Sequence, residues 1–173
     1  QFYERKNLST LKHEPEVSLL LHAFALNNDT HADGQTIKGD STEIALMEVS
    51  REHNIQPDAW PRLAEIAFDA ERKLMTTFHS YENRIISFTK GAPDVLLQLC
   101  VNTDLPALQG QIDHMASEGL RVLGFAYRYW DALPEKPSTE NNETGMQFLG
   151  LAGMLDPPRE EVLDAVAQCK TAG

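Results

Sequence analysis

Cysteine is scarce in this 173-residue chain, which has Cys100 and Cys169 far apart and no C-x-x-C spacing. That pattern points to two buried thiols rather than a disulfide framework, as in a reducing compartment. The six histidines are scattered, and neither His22 with His31 nor His53 with His79 has the spacing of metal ligands. No stretch approaches the roughly 18 apolar residues that a membrane helix needs. Positive charge is in deficit: 15 Lys and Arg stand against 26 Asp and Glu, for a net charge of −11. Such a balance argues against a nucleic-acid or anionic-membrane surface. There is no Walker A loop and no internal repeat. What is present is ordinary for a globular protein, with 42% hydrophobic, 24% charged and 8% aromatic residues. The length suits one domain, or one domain and a fragment. The chain opens on Gln1 without a signal-peptide pattern and closes on KTAG, and the expectation is a piece of a larger protein.

Hydrophobic periodicity divides the chain into elements. Val17, Leu20, Leu21, Phe24 and Ala25 line one face of a helix over Glu14–Asn27. Residues 28–38 are polar and read as a loop. Asp40 suits an N-cap, with Glu43 three residues on, and predicts a helix to about His53. After a connection over Asn54–Pro61 the period changes. Leu63–Phe68, Leu74–His79 and Arg84–Thr89 are short, β-branched or aromatic, and predict an antiparallel meander. Helices over Pro93–Cys100 and Pro106–Ser117 follow, then a strand over Arg121–Trp130. Asp131–Gly145 is rich in Pro, Glu, Asn, Ser and Thr and reads as a mobile surface loop. A strand over Gln147–Leu155 and a helix over Glu160–Lys170 complete the pattern. Strands clustered between helices predict an α+β fold, a twisted antiparallel β-sheet flanked by helices.

One turn carries the chemistry. Lys90-Gly91-Ala92-Pro93-Asp94 follows the strand pattern RIISF and precedes the helical PDVLLQLC. It sets a cation beside backbone that a ligand can approach closely, and Pro93 suits the first turn of a helix. This stretch resembles the KGAPE motif of the nucleotide-binding domain of P-type ATPases, with Asp94 in place of Glu. Four further segments match that family in the same order. Gly39-Asp40-Ser41-Thr42-Glu43-Ile44-Ala45-Leu46 resembles GDPTEGAL, and Phe68-Asp69-Ala70-Glu71-Arg72-Lys73-Leu74-Met75 is similar to FDSERKRM. Gly119-Leu120-Arg121-Val122-Leu123 resembles GLRVLA, and Asp156-Pro157-Pro158-Arg159 is identical to DPPR. The set looks most like the type II, calcium-pump-like branch.

The resemblance gives each residue a role, and each role has a plainer rival. Phe68 would stack on adenine; from its spacing alone it is a strand phenylalanine bound for the core. Lys90 would line the deep end of the adenine pocket, with Gly91 leaving room for the base; otherwise Lys90 is a solvated charge. Glu43 would accept a hydrogen bond from the adenine amino group, or else return to its own helix as a capping box with Asp40. Lys73 and Arg121 would be phosphate-side or ribose-side cations, Arg121 otherwise forming a strand-end salt bridge. Met75 and Leu123 would be apolar walls. For Arg72 a solvated hairpin turn is the preferred reading. Ala70 stands where animal calcium pumps carry a phosphate-reaching arginine, so that contact is missing.

By the same resemblance, residues 1–155 are an ATP-binding domain and 156–173 the hinge and start of a phosphorylation domain. Asp156, Pro157, Pro158 and Arg159 would be that hinge. The DKTGT acceptor motif is absent, so the expected role is to hold ATP, with Mg in the parent enzyme, and not to hydrolyse it. The implied partners are the phosphorylation and actuator domains and membrane helices of one parent chain, with no nucleic acid. The fragment itself would be a monomer from the cytoplasmic part of a cation-transporting membrane enzyme. The rivals are a stand-alone adenine-nucleotide sensor and an interaction domain with a decayed pocket. The transported ion is not encoded in these residues.

Overall fold

A computed structural model of the chain describes residues 14–33, 36–101, 103–155 and 169. The expected hinge, Asp156 to Arg159, and the helix expected over 160–170 lie outside the described residues. Within them, helix α1 (Pro15–Leu26) and helix α2 (Ser41–Glu52) flank a small antiparallel hairpin of β1 (His31–Asp33) and β2 (Thr36–Lys38). The main sheet has six strands: β3 (Arg62–Asp69), β4 (Leu74–Tyr81), β5 (Arg84–Gly91), β6 (Cys100–Val101), β7 (Leu120–Trp130) and β8 (Met146–Leu155). Their spatial order is β3-β4-β5-β7-β8-β6, antiparallel throughout except for the two-residue parallel pairing of β6 with β8. Helix α3 (Pro93–Leu96), α4 (Leu105–Ser117) and the short α5 (Thr139–Asn142) complete the α+β architecture.

The strands alternate between two buried faces, as a sheet covered on both sides requires. Residues paired across the ladder share a face, so Met75 lies with Lys90, Thr77 with Phe88, and His79 with Ile86. This face takes α1, whose Val17, Leu21 and Phe24 recur at helical spacing and join Leu46, Ile86, Phe88 and Phe125 in the main core. The rings of Phe24 and Phe125 meet at 4.9 Å, and burying one such ring is worth about 1.5–3 kcal/mol. The Ser50 hydroxyl of α2 donates to the Leu21 carbonyl at 2.8 Å and ties the two helices together. The opposite face carries Leu74, Ala126 and Met146, covered by Leu96 of α3.

Three expectations need correction. Residues 28–38 are not a plain loop, since β1 and β2 pair within them. The helix from Pro93 ends at Leu96 and passes through a 3-10 turn at Leu97–Leu99, because Cys100 is drawn into pairing with Met146. The segment 131–145 is not a free surface loop: α5 lies within it, and Asn142 and Glu143 are buried. No helix of the described residues is long and apolar enough to cross a membrane.

A lysine–glutamate pair at one end of the sheet

The ladder register gathers the sequence-predicted residues at one end of the sheet. Met75 lies opposite Lys90, and Lys90 in turn opposite Phe125. Gly91 pairs with Gly124, next to Leu123. Phe68 lies one residue before the end of β3, where Asp69 pairs with Leu74 of β4, and Lys73 sits in the turn between the strands. The first turn of α2 stands over this end and brings Glu43 with it.

Lys90 is the centre of the arrangement. Its Nζ donates to Glu43 Oε1 at 2.5 Å and to the Asn27 carbonyl at 2.7 Å. The side chains are 9% and 15% exposed. Burial pushes the Lys90 pKa below its ordinary value, and the Glu43 carboxylate opposes that shift. The reading of Lys90 as a solvated charge is therefore excluded. Asn27 caps the C-terminal end of α1, where carbonyls favour a cation. Its amide donates to the Met75 and Phe88 carbonyls at 3.0 and 2.7 Å, locking the helix end to β4 and β5.

Glu43 makes no capping box. Asp40 Oδ1 does accept from the Thr42 N–H at 2.9 Å, so half of the expected motif forms. Glu43 turns away instead, giving Oε1 to Lys90 and accepting the Asp29 N–H on Oε2 at 3.2 Å. Asp29 is held by Arg62, whose guanidinium also donates to the Leu26 and Asn28 carbonyls at 3.1 and 2.7 Å.

Phe68 is 60% exposed, so it is not the core residue that its strand position alone suggests. Its ring lies in solvent at the end of the sheet that also holds the buried Lys90–Glu43 pair. Met75 behaves oppositely: it is 1% exposed and packs beneath the site, leaving almost none of itself for a ligand. Leu123 is half-buried against the main core.

Gly91 does not leave open space. A Cβ there would fall 2.1 Å from the Lys73 carbonyl oxygen and 2.6 Å from a Leu74 methyl. The glycine lets β5 pass against the Lys73 turn, whose carbonyl accepts the Ala92 N–H at 3.1 Å. Lys73 has φ +58° and its Nζ is a loose 3.9 Å from Asp94 Oδ2, both side chains being exposed. Arg121 Nη1 donates to Thr42 Oγ1 at 3.1 Å, reaching from β7 to the same end of α2 as Glu43. Ala70 is an exposed turn residue with no polar group to offer.

Arg72 corrects its expectation. It does not dangle in solvent but grips both oxygens of Glu143 at 2.7 and 2.8 Å. Of the four described cations in the matched motifs, Arg72 and Lys90 are thus neutralised by carboxylates, and Lys73 and Arg121 remain on the surface. Asn27, Asp29 and Glu143 escaped the sequence reading. Asn27 had one available signal, an asparagine at the end of a periodic helix; Glu143 lies in a polar tract and had none. No group of three or more His, Cys, Asp or Glu among the described residues could hold a metal ion.

Comparison with known proteins agrees with this geometry. A family model described as "P-type ATPase, cytoplasmic domain N" matches residues 11–161. The chain is similar to "Calcium-transporting ATPase 1" of Bacillus cereus, at 36% identity over 171 residues covering 90% of this chain and 19% of that protein. It is also similar to "Calcium-transporting ATPase 1" of Lactococcus lactis, 37% identical over 92% of this chain and 20% of the relative. For "Calcium-transporting ATPase" of Bacillus subtilis the figures are 34%, 97% and 21%. The chain spans about a fifth of the length of these curated relatives. With five motifs in order, a six-stranded sheet flanked by helices, and a family match over most of its length, this chain belongs to the cytoplasmic N domains of P-type cation ATPases.

Proposed function

We propose that this chain holds ATP by its adenine end on behalf of a larger cation-transporting ATPase. The observation that carries the proposal is the exposed Phe68 ring at the same end of the sheet as the buried Lys90–Glu43 pair. Aromatic stacking on a base is worth roughly 1–3 kcal/mol. A carboxylate has acceptor capacity beyond two partners, so Glu43 can take the adenine amino group while keeping Lys90. Lys73 and Arg121 supply positive charge at the rim for the ribose and phosphates, and Leu123 an apolar wall. Met75 and Gly91 support the site from beneath: one fills the core, the other brings β5 and the Lys73 turn together.

Bound ATP supplies the γ-phosphate, which in the parent passes to an aspartate of the adjoining phosphorylation domain. Residues 1–155 form the nucleotide-binding unit in this reading, with 156–173 leading into that neighbour through Asp156, Pro157, Pro158 and Arg159. The names of the Bacillus and Lactococcus relatives favour a calcium-like cation as the cargo of the parent. The parent's site of action is a membrane, with this domain on its cytoplasmic side, and the fragment is a monomer that binds without turnover. Phosphoryl transfer requires an acceptor in line with the γ-phosphate, and this sequence carries no DKTGT acceptor motif.

The test is an NMR titration of the chain with ATP. A partial site predicts a dissociation constant of about 0.1–10 mM. Shifts should centre on Phe68, Lys90 and Glu43, and Phe68→Ala and Lys90→Ala should each weaken binding. Shifts that cluster on α4, on the far side of the sheet, would sink the assignment.

A further inference from the structure

The Arg72–Glu143 pair lies on the sheet face opposite α1 and has no part in the site as proposed. Glu143 is 3% exposed, although it sits in the most polar tract of the chain. Its Oε1 also accepts the Thr76 hydroxyl at 2.6 Å, and Thr76 meets Thr89 at 2.8 Å, so β4, β5 and the 131–145 segment are bound to one carboxylate. Burying a carboxylate is costly unless it is fully partnered. Five polar atoms of four side chains, Arg72, Glu143, Thr76 and Thr89, are gathered in a mostly buried cluster, and the arrangement needs a reason.

The reason lies in the other end of Arg72. Its Nη2 donates to the Ala67 carbonyl at 2.6 Å, one residue before Phe68. The β3–β4 register slips between Ile66 and Asp69, so regular ladder bonds do not fix the backbone there. Phe68 is exposed, and its ring goes where residues 67–69 put it. The turn that follows is held by Asp69, whose Oδ1 accepts the Glu71 and Arg72 N–H groups at 3.0 and 2.8 Å. A planar guanidinium whose Nη1 holds both oxygens of a carboxylate while its Nη2 bonds a backbone carbonyl is a rigid strut.

We infer that Glu143 is a positioning residue for the nucleotide site: through Arg72 it sets the backbone of residues 67–69 and so the attitude of the Phe68 ring. The inference rests on the proposed adenine site. The 131–145 segment then becomes part of the site's frame, although none of its side chains touches the ligand.

The experiment is a double-mutant cycle on ATP affinity, read by NMR titration of the whole chain. Glu143→Gln keeps the shape but loses the charge-assisted grip, and should weaken ATP about five- to tenfold. Arg72→Lys, which keeps the charge but cannot span both partners, should do the same. In the Phe68→Leu background, Glu143→Gln should have little further effect, because the ring it positions is gone. Ser87→Ala, which removes the partner of the Trp130 indole outside the proposed site, serves as a stability control and should lower the melting temperature without changing affinity. Unchanged or tighter binding by Glu143→Gln, equal effects with and without Phe68, or an equal loss in Ser87→Ala would each overturn the inference. If Phe68→Leu itself binds like the wild type, the nucleotide site is misassigned and the inference falls with it. If Phe68→Leu is weakened and Glu143→Gln is not, the positioning role alone is wrong.

Discussion

Replacing Lys90 by Met would remove a charge while keeping a side chain of similar length and volume. Glu43 would then lose its buried partner, and the Asn27 carbonyl its donor. Removing one member of a buried pair costs about 3–5 kcal/mol, because the other charge is left behind. Here Glu43 keeps the Asp29 N–H and is 15% exposed, so the cost belongs near the lower end, about 3 kcal/mol. At about 2–4 °C per kcal/mol for a chain of this size, the melting temperature should fall by about 6–12 °C. Glu43→Gln should cost less, since its amide oxygen can still accept from Lys90. Burial already favours loss of the Lys90 proton, which lets the lysine adapt. The double variant should regain about 2 kcal/mol over the sum of the singles, because no charge is then stranded. The assay is thermal unfolding followed by circular dichroism on all four proteins. Strict additivity would show that Lys90 and Glu43 do not depend on each other, and would refute the argument.

Two other variants probe the same framework. His79 is 1% exposed with Nδ1 bonded to the Trp60 carbonyl at 3.0 Å, and burial lowers its pKa from 6.5 to about 4. The unfolded chain binds the proton more readily in that window, so stability is lost as pH falls from 6.5 toward 4, by up to roughly 3 kcal/mol. His79→Phe should flatten the stability profile between pH 6.5 and 5, above most carboxylate titrations; an unchanged slope would exclude His79 as its source. Gly91→Ala should cost about 1–3 kcal/mol by overpacking and displace the Lys73 turn, which amide shifts at residues 72–74 would report. An undisturbed turn with wild-type stability would show that the close approach of β5 is not needed.

What could be read from the residues was local. The β4–β5 hairpin and the N-cap of α2 follow from alternation and from Asp40. The Lys90–Gly91 strand end is conspicuous because a glycine and, two residues on, a proline punctuate it. The choice between two roles for Glu43 was not local: its partner lies 47 residues away on another element. Burial of that partner, not helix propensity, decides against the capping box. Arg72 and Glu143 are 71 residues apart and each sits among polar neighbours, so nothing near either one marks it as buried. Cys100 has an apolar helical pattern around it, yet the edge of β8 claims it for a strand.

The sheet's outer borders have a bearing on solubility. A strand with one neighbour offers unpaired N–H and C=O groups to any similar chain. At one border β6 pairs over just two residues, too short to serve as a template. At the other, β3 is eight residues long but its register breaks twice, and Arg62, Glu65 and Asp69 stud it with charge. Deleting one residue within the Ile66–Asp69 slip would straighten that border. The same irregularity that falls at the exposed Phe68 ring therefore also discourages copies of the domain from joining edge to edge.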